Sequence, residues 1–278
     1  MTNKSRRFAI PYVIWMALLV VAPIILMVIY AFTSADSGFT LKNFASMGSY
    51  LDVFLRSFEL ALIATVICLL VGYPVAYFMA KEGPRFQRVA MALIMLPMWM
   101  NFLLRTYAWM SILENNGLIN QFLGAIGVLD LLGVDHVRLI RTQGAVVLGM
   151  VYNYLPFMIL PIYSVIVKLD NSLLEAARDL GANSAGVFRK VIFPLSLPGI
   201  LSGVTMVFVP SVSTFAISRL LGGGQQMMLG DLIEQQFLGG AYDPHLGAAV
   251  SMVMMVIVVV CMAVMNHFGE GEEQAVML

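Results

Sequence analysis

Residues 168–198 read KLDNSLLEAARDLGANSAGVFRKVIFPLSLP, a charged stretch between two apolar runs that are each long enough to cross a bilayer. Ser172, Leu173, Leu174 and Glu175 fit a capping box, in which the serine oxygen and the glutamate carboxylate satisfy early backbone N–H groups. The spacing therefore predicts a helix that begins near Leu173. A polar helical segment between two spans indicates a docking surface for a partner in water.

The same stretch predicts a helix, a turn and a second short helix. Gly181 stands where a left-handed C-terminal cap belongs, and Asn183 or Ser184 can cap a helix that runs toward Pro194. On the first helix, apolar residues at i, i+3, i+4 and i+7 form a narrow stripe opposite two charged residues. The stripe is Leu173, Ala176, Ala177 and Leu180, and the charged residues are Arg178 and Asp179. Such a stripe suits a groove on another protein, but it is also ordinary patterning for packing within the chain's own bundle.

The composition is that of a membrane protein. Apolar residues make up 60% of the 278 residues and charged residues only 12%, whereas soluble domains contain about 25% charged residues. The formal net charge is zero, so nothing indicates a nucleic-acid partner. Cys68 and Cys261 lie in apolar runs and the three histidines are scattered. We therefore predict neither a disulfide framework nor a metal site.

Six stretches have the roughly 20 mostly apolar residues that a spanning helix needs. They are roughly 11–33, 58–80, 89–112, 143–167, 197–219 and 246–267. The predicted fold class is therefore an all-α membrane protein with six transmembrane helices. Prolines recur inside the stretches, and helices that they kink can leave a central cavity.

Two shorter patterns concern packing around the spans. Gly199 and Gly203 have small-xxx-small spacing, which predicts a close helix contact, most simply within the chain. The segment between the last two stretches predicts an amphipathic helix that lies across the outer face. Its apolar side is marked by Leu229, Leu232, Ile233, Gln236 and Phe237.

Lysine and arginine placement predicts the orientation, because loops rich in these residues stay in the cytoplasm. With the N-terminus inside, ten basic residues fall in inner segments and five in outer ones, with Arg105 left within a span. Both termini and the 168–196 loop are then cytoplasmic. The inner residues are Lys4, Arg6, Arg7, Lys81, Arg85, Arg88, Lys168, Arg178, Arg189 and Lys190; the outer ones are Lys42, Arg56, Arg138, Arg141 and Arg219.

Motifs for chemistry of the chain's own are missing from the sequence. No Gly-x-x-x-x-Gly-Lys-Ser/Thr loop occurs, so the chain has no ready means of holding ATP phosphates. No serine elbow, zinc helix motif or intramembrane acid–base cluster occurs either. We expect a transport subunit with no catalytic residue and no cofactor of its own.

Candidate substrate-path residues are polar and aromatic side chains within the spans. Arg105 is a poor ligand for a cation, and we expect it to brace the bundle by holding a carbonyl or carboxylate. Aromatic faces and oxygen atoms suit an ammonium group, although interhelical hydrogen bonding or an interfacial aromatic belt explains any single residue equally well. The candidates are Glu59, Trp99, Asn101, Tyr107, Trp109, Tyr152, Asn153, Tyr154, Ser211, Ser213 and Thr214.

The charged stretch resembles the EAA motif of ABC importer permeases. Glu175-Ala176-Ala177 is followed after three residues by Gly181 and, nine residues later, by the segment 191–194, Val-Ile-Phe-Pro. Val191 stands for the usual isoleucine and Phe193 for the usual leucine, and both remain bulky and apolar. The resemblance implies a cytoplasmic loop that couples to an ATPase. The residues it implicates are Leu173, Glu175, Ala176, Ala177, Arg178, Asp179, Leu180, Gly181 and Pro194.

Over about residues 57–266 the chain resembles the spermidine/putrescine permease branch, PotB type. The stretches that carry this likeness are 62–81, 96–110, 151–164 and 168–203. It implies the type I ABC importer (MetI-like) fold in a bacterial inner membrane, with polyamines as cargo. The implied partners are a second, similar permease, two copies of an ATPase that holds ATP and magnesium, and an extracytoplasmic substrate-binding protein.

The predicted domain division is 1–56 (N-terminal cytoplasmic stub, first span and first outer loop), 57–266 (a five-helix permease core with the loop 168–196) and 267–278 (an acidic cytoplasmic tail). Two other functions stay open. One is an ABC permease for another small solute, such as iron or thiamine. The other is a secondary transporter that needs no ATPase.

Overall fold

The structure is a computed structural model that describes residues 11–34 and 38–276, with the backbone alone described for residues 132 and 266–276. Over these residues, regular secondary structure is helical apart from one antiparallel bridge between Thr33 and Phe39. The helices are α1 (Pro11–Phe32), α2 (Lys42–Lys81), α3 (Pro84–Trp99), α4 (Phe102–Leu113), α5 (Leu118–Ala125), α6 (Val128–Leu132), α7 (Gln143–Ile166), α8 (Asn171–Asp179), α9 (Ser184–Leu195), α10 (Leu197–Ser213), α11 (Ala216–Gly222), α12 (Leu229–Leu238) and α13 (Pro244–Val276).

Four of these helices, α1, α2, α7 and α13, are long and apolar enough to cross a membrane. Two further pairs pass the same test together but are bent. They are α3 with the segment Phe102–Ala125, bent by 91°, and α9 with α10, bent by 58°. Counting each bent pair as one span gives six candidate spans in the described part of the chain. The prediction of an all-α fold with spanning helices is thus confirmed, but the third and fifth spans are not simple rods.

The predicted span 89–112 is broken near its centre, where Pro97 predicts a bend. Helix α3 ends at Trp99, and α4 begins at Phe102 after a sharp bend. Pro97 has no backbone N–H with which to bond the preceding turn. The Asn101 side-chain oxygen then accepts hydrogen bonds from the backbone N–H groups of Leu103 at 2.9 Å and Leu104 at 3.3 Å. This cap starts a new helix where sequence periodicity predicts continuity.

The predicted span 197–219 is also interrupted. Helix α10 ends at Ser213 and α11 begins only at Ala216. Pro210 removes one backbone donor from the last turn. A methyl group added at Gly230 would lie 2.4 Å from the Ser213 carbonyl oxygen and 2.7 Å from that of Thr214. Glycine at 230 therefore allows a neighbouring segment to pack directly against the exposed helix end.

The described residues form two compact units, one from residues up to 54 with 232–259 and the other from 55–231 with the residues after 259. In the first unit, the His245 ring nitrogen Nδ1 lies 3.0 Å from the Tyr30 carbonyl oxygen at the end of α1. The Asn43 amide donates to the carbonyl oxygens of Ala31 and Thr33, both at 2.9 Å. These bonds hold α13 and the start of α2 to the end of α1.

The second unit is built around α7. Its core includes Met158 and Ile162 of α7, Cys68 of α2, Ile192 of α9 and Val207 of α10. Two glycines of α10 make the helix contact predicted from their spacing. A methyl group on Gly199 would lie 2.9 Å from the Pro161 carbonyl oxygen, and one on Gly203 2.8 Å from the Met158 sulfur. The spacing is therefore used for packing within the chain.

The predicted amphipathic helix exists as α12, but it does not lie across a surface. Leu229, Leu232 and Gln236 are buried, and only Phe237 of the five predicted residues is exposed. Its first residue, Leu229, donates its backbone N–H to the Ser57 hydroxyl at 2.8 Å. Such a buried partner lets a helix end lie away from water.

Several predictions concern residues that the structure does not describe or test. Residues 1–10, which hold Lys4, Arg6 and Arg7, and residues 277–278 lie outside the described residues. The backbone of α13 continues as a helix to Val276, through most of the predicted tail. The division into 1–56, 57–266 and 267–278 stays a prediction.

Candidate functional site

Helix α8 begins earlier than the capping box predicts. Its N-cap is Asp170, whose carboxylate accepts a hydrogen bond from the Ser172 backbone N–H at 2.9 Å. That bond occupies the N–H to which the Glu175 carboxylate is predicted to return, so the Ser172–Glu175 box does not form. Hydrogen bonds from the Ser172 backbone and side chain lower the pKa of the Asp170 carboxyl. A charged cap also interacts favourably with the positive end of the helix dipole.

The two faces of α8 have different surroundings. Leu174 and Ala177 are partly buried and pack against the core around α7. Leu173 is 48% exposed and Leu180 is 89% exposed, and Ala176 between them is exposed as well. The predicted stripe is therefore wrong at Ala177, because α8 is rotated so that Leu174 and Ala177 meet the bundle. We call Leu173, Ala176 and Leu180 the exposed face of α8.

The end of α8 is a Schellman motif. The Ala182 N–H donates to the Ala177 carbonyl at 3.0 Å, and the Gly181 N–H donates to the Arg178 carbonyl at 2.8 Å. Gly181 has φ of +83°, as predicted for a left-handed cap. Asn183 then caps α9 by accepting from the Gly186 N–H at 2.8 Å. Two adjacent caps fix the direction in which the chain leaves α8.

Aromatic contacts hold α9 to the end of α2. The Phe188 ring meets the Tyr73 ring at 5.8 Å and the Tyr77 ring at 5.2 Å, both edge to face. The Tyr73 hydroxyl lies 2.9 Å from the Ser196 hydroxyl at the bend between α9 and α10. Pro194 is exposed one residue before Leu195, where α9 ends. The segment that follows α8 is therefore joined to the end of α2 and the start of α10 by packed rings and a short hydrogen bond.

A second feature is a cavity of about 480 Å³ at the helix breaks, which we call the break cavity. Its volume lies within the range of about 300–1,000 Å³ that is usual for small-molecule sites. Tyr154 donates its hydroxyl to the Pro210 carbonyl at 3.5 Å. The C-terminal end of α10 lies in its wall, and free carbonyls at such an end carry partial negative charge. The lining residues are Phe102, Leu103, Tyr154, Pro210, Ser213, Thr214, Phe215 and Ala216.

Only three of the predicted path residues line the break cavity, namely Tyr154, Ser213 and Thr214. Glu59, Trp99 and Tyr107 are exposed elsewhere on α2, α3 and α4. Asn101 uses its side-chain oxygen as the α4 cap. The remaining candidates point into packing contacts: Trp109 lies 5.4 Å from the Tyr152 ring, Asn153 donates to the Gly149 carbonyl at 2.8 Å, and Ser211 donates to the Val207 carbonyl at 2.7 Å.

The sequence analysis missed Phe102, Leu103 and Phe215 as cavity residues. Phe102 and Leu103 follow the cap at Asn101, and Phe215 lies in the gap between α10 and α11. The available signal was the recurrence of proline next to polar residues at 97–101 and 210–214. Both places are helix ends, and broken spans expose backbone and side chains to a cavity.

Arg105 lies within α4 and is only 8% exposed. Its guanidinium carbon is 5.9 Å from the centroid of the Tyr152 ring. Its Nε and Nη1 atoms are buried and have no hydrogen-bond partner among the described residues. The expectation that Arg105 holds a carbonyl or carboxylate is therefore wrong for these two nitrogens, and the contact that the structure shows is with an aromatic face.

The comparisons with known proteins decide the family. The sequence profile for the "binding-protein-dependent transport system inner membrane component" matches residues 72–270, which include α8, α9 and the break cavity. The chain belongs to this family. It is thus a membrane permease subunit of a binding-protein-dependent ABC importer, so membership of the ABC importer permeases, which the EAA motif predicts, is confirmed.

Curated relatives of this permease cover nearly its full length. It is 38% identical over 265 residues to the spermidine/putrescine transport system permease protein PotB of Salmonella typhimurium (strain SL1344), covering 92% of this chain and 91% of the relative. It is also 38% identical over 251 residues to the Escherichia coli (strain K12) protein of the same name, covering 87% and 90%.

A solved structure confirms the type I importer fold. A chain from the crystal structure of a bacterial ABC transporter involved in the import of the acidic polysaccharide alginate superposes with a TM-score of 0.75, over 95% of this permease and 94% of that chain. The two sequences are 18% identical. The two bent helix pairs therefore belong to a fold that is shared with a solved importer.

Proposed function

We propose that this permease moves polyamines, with spermidine and putrescine as the first candidates, into the cytoplasm. The observation that carries the proposal is the 38% identity over 92% of the chain to a spermidine/putrescine permease. Similarity over nearly the whole length includes the spans as well as the coupling motif, so it bears on the transport path.

The properties of the break cavity are those of a site that binds a cationic solute weakly. Its wall joins the carbonyl-rich end of α10 to the rings of Phe102, Tyr154 and Phe215. Carbonyl oxygens accept hydrogen bonds from an ammonium group, and aromatic faces attract it. None of the described residues that line the cavity carries a carboxylate. A cation would therefore be held loosely enough to leave, as a transport path requires.

Helix α8 would couple this path to a separate ATPase in the cytoplasm. Leu173, Ala176 and Leu180 present an apolar face that remains exposed in the described part of the chain. The segment between them and the spans is tied by the Schellman turn and by the Phe188 ring contacts. The exposed face therefore suits a groove on a partner, and its movement would be passed to α2 and α10.

The complete assembly would contain two copies of the ATPase, a second similar permease and an extracytoplasmic substrate-binding protein. ATP and magnesium would lie on the ATPase, with no cofactor on this chain. Both termini would be cytoplasmic, in agreement with the ten-to-five division of basic residues. The binding protein would select the polyamine, and the permease would supply the path.

Reconstitution in proteoliposomes tests the proposal. The permease, its partner permease, the ATPase and the binding protein should take up labelled spermidine or putrescine only when ATP is supplied, and a non-hydrolysable ATP analogue is the matched control. Uptake by this chain alone under an ion gradient would contradict the coupling role and favour a secondary transporter.

A second candidate is an ABC permease for another small solute. The observation that favours it is Arg105, a buried cation whose Nε and Nη1 lack hydrogen-bond partners among the described residues. Such a group suits a carboxylate or phosphate better than an amine. ATP-dependent uptake of an anionic solute, with polyamines failing to compete, would establish this alternative.

A further inference from the structure

A second cavity, of about 540 Å³, lies behind α8 on the side of Leu174 and Arg178. Its other walls come from the end of α2, the start of α3, the end of α7 and Ile192 of α9. We call it the loop cavity. It is separate from the exposed face of α8, because that face is formed by other residues of the helix. It is also separate from the break cavity, with which it shares no lining residue.

The loop cavity brings together two cations from distant parts of the sequence. Lys81, the last residue of α2, and Arg178 of α8 both line it, and no aspartate or glutamate is among the described residues of its lining. The Lys81 amine lies 4.2 Å from the centroid of the Tyr77 ring, so a cation–π contact holds it at the wall. Within the described part of the chain, neither cation forms an ion pair.

The other polar groups divide into those already bonded and those available. Gln87 accepts from the Tyr163 hydroxyl at 3.1 Å and donates to the Glu82 carbonyl at 2.8 Å, so it serves as a fixed wall. Asn171 lines the cavity beside the two cations. Two positive charges and an amide without an acid make a concave site that is complementary to an anion with several oxygens.

We propose that the loop cavity binds a phosphate group, as the headgroup of an anionic phospholipid of the cytoplasmic leaflet. Its aliphatic wall, which includes Ile166, Leu169 and Ile192, suits the glycerol and first acyl carbons of a lipid better than a free ion. Basic pockets between spanning helices at the cytoplasmic side are suited to such headgroups. The assignment rests on the proposed cytoplasmic position of α8. Free phosphate has the same chemistry, and displacement by inorganic phosphate distinguishes it from a lipid headgroup.

A phosphate bound there would have a mechanical consequence. Arg178 belongs to the helix that meets the ATPase, and Lys81 ends a spanning helix. A shared anion would join these two elements by charge-assisted hydrogen bonds. Anionic lipid would then strengthen coupling between the ATPase and the spans, independently of the transported solute.

Native mass spectrometry of the assembled importer in mixed phosphatidylglycerol and phosphatidylcholine provides the test. The wild-type complex should retain phosphatidylglycerol preferentially, and Lys81→Gln should weaken that retention about fivefold, because a basic residue near an anionic membrane surface contributes about 1 kcal/mol to binding. Lys81→Arg should restore it. The double variant Arg189→Gln, Lys190→Gln removes two exposed charges of α9 that do not line the cavity, so it should bind lipid as the wild type does.

The outcomes separate the possibilities. Displacement of phosphatidylglycerol by millimolar inorganic phosphate, with the same dependence on Lys81, would assign the site to free phosphate and overturn the lipid assignment. Equal lipid retention by Lys81→Gln and wild type, or no preference over phosphatidylcholine, would overturn the site altogether. Because lipid retention is measured without transport, a failure here is distinguishable from a failure of the proposed polyamine function.

Discussion

The exposed face of α8 and the break cavity are both candidates for function, yet they are built in opposite ways. The face of α8 is made of side chains without a partner in the described chain, with Leu180 89% exposed. In the break cavity, the hydroxyls of Tyr154 and Ser213 already contact backbone carbonyls. A surface for a lasting protein partner gains from uncommitted apolar area. A transport path must release its solute, and polar groups that already have hydrogen-bond partners in the protein bind that solute less tightly.

The largest effect should come from the exposed face of α8. Leu180→Ala should weaken binding of the ATPase about 30-fold and lower ATP-dependent uptake with it, because a leucine that becomes fully buried in a partner's groove contributes about 2 kcal/mol to binding. The thermal midpoint of the Leu180→Ala permease should equal that of the wild type. Leu174→Ala is the matched control, since it removes the same atoms from the inward face and should cost about 1–2 kcal/mol of stability.

Binding of the ATPase and the thermal midpoint of the full chain in detergent measure the two effects separately. If Leu180→Ala destabilised the chain and left ATPase binding intact, α8 would be a packing helix and the contrast between the two faces would disappear.

The next largest effect should come from the turn that ends α8. Gly181 has φ of +83° and no atom within 4 Å of an added methyl group, so a substitution there acts through backbone conformation. Gly181→Val should disfavour the turn by about 1–2 kcal/mol and lower uptake about tenfold. Gly181→Asn should retain most of the activity, because asparagine tolerates the left-handed region. Uptake assays at matched membrane expression decide the point, and equal loss in both variants would count against a conformational cause.

The fold and the loop were largely predictable from the sequence, and the reason is local. The span lengths, the left-handed Gly181 and the Asn183 cap each depend on a few neighbouring residues. The exact N-cap of α8 was not predictable, because Asp170 and Ser172 can both cap the same turn. The Asp170 carboxylate is the better placed of the two to accept a hydrogen bond from the Ser172 N–H. Likewise, the rotation of α8 depends on which side of the helix meets the bundle. The leucines and alanines of the predicted stripe do not determine that side from sequence alone.

The break cavity was less predictable because it depends on where distant helix ends meet. The sequence predicted a third span that Pro97 can kink, whereas Pro97 and the Asn101 cap end one helix and start another. Apolar runs do not show whether a proline kinks a helix or ends it. For the same reason, the polar candidates of the spans could not be sorted into cavity residues such as Thr214 and packed residues such as Ser211.

A smaller effect should come from the hydroxyls of the break cavity. Tyr154→Phe and Thr214→Val should each raise the KM for the transported polyamine about two- to tenfold, because the loss of one hydrogen-bonding hydroxyl from a cavity with several other acceptors costs only about 0.5–1.5 kcal/mol. Ser211→Ala is the matched control. Its hydroxyl is buried against the Val207 carbonyl within α10, so its loss should leave the KM unchanged. An equal change for Ser211→Ala would show that the hydroxyls support the helix and not the passenger.

The smallest effect concerns the start of α8 and its dependence on pH. Hydrogen bonds from Ser172 lower the pKa of the Asp170 carboxyl from its ordinary value of 3.8. A group whose pKa is lower in the folded state contributes stability above the unfolded pKa, and the contribution is lost as the pH falls through the folded value. Protection of the α8 amides from hydrogen exchange, corrected for intrinsic rates, should therefore be constant above about pH 4 and decline below it.

Asp170→Asn gives the matched comparison, because its amide oxygen can cap the helix but does not titrate in this range. The variant should lose the decline in protection below pH 4 while keeping the turn. If the variant and the wild type declined in parallel, another titrating group would be responsible, and Asp170 would contribute geometry to α8 without contributing charge.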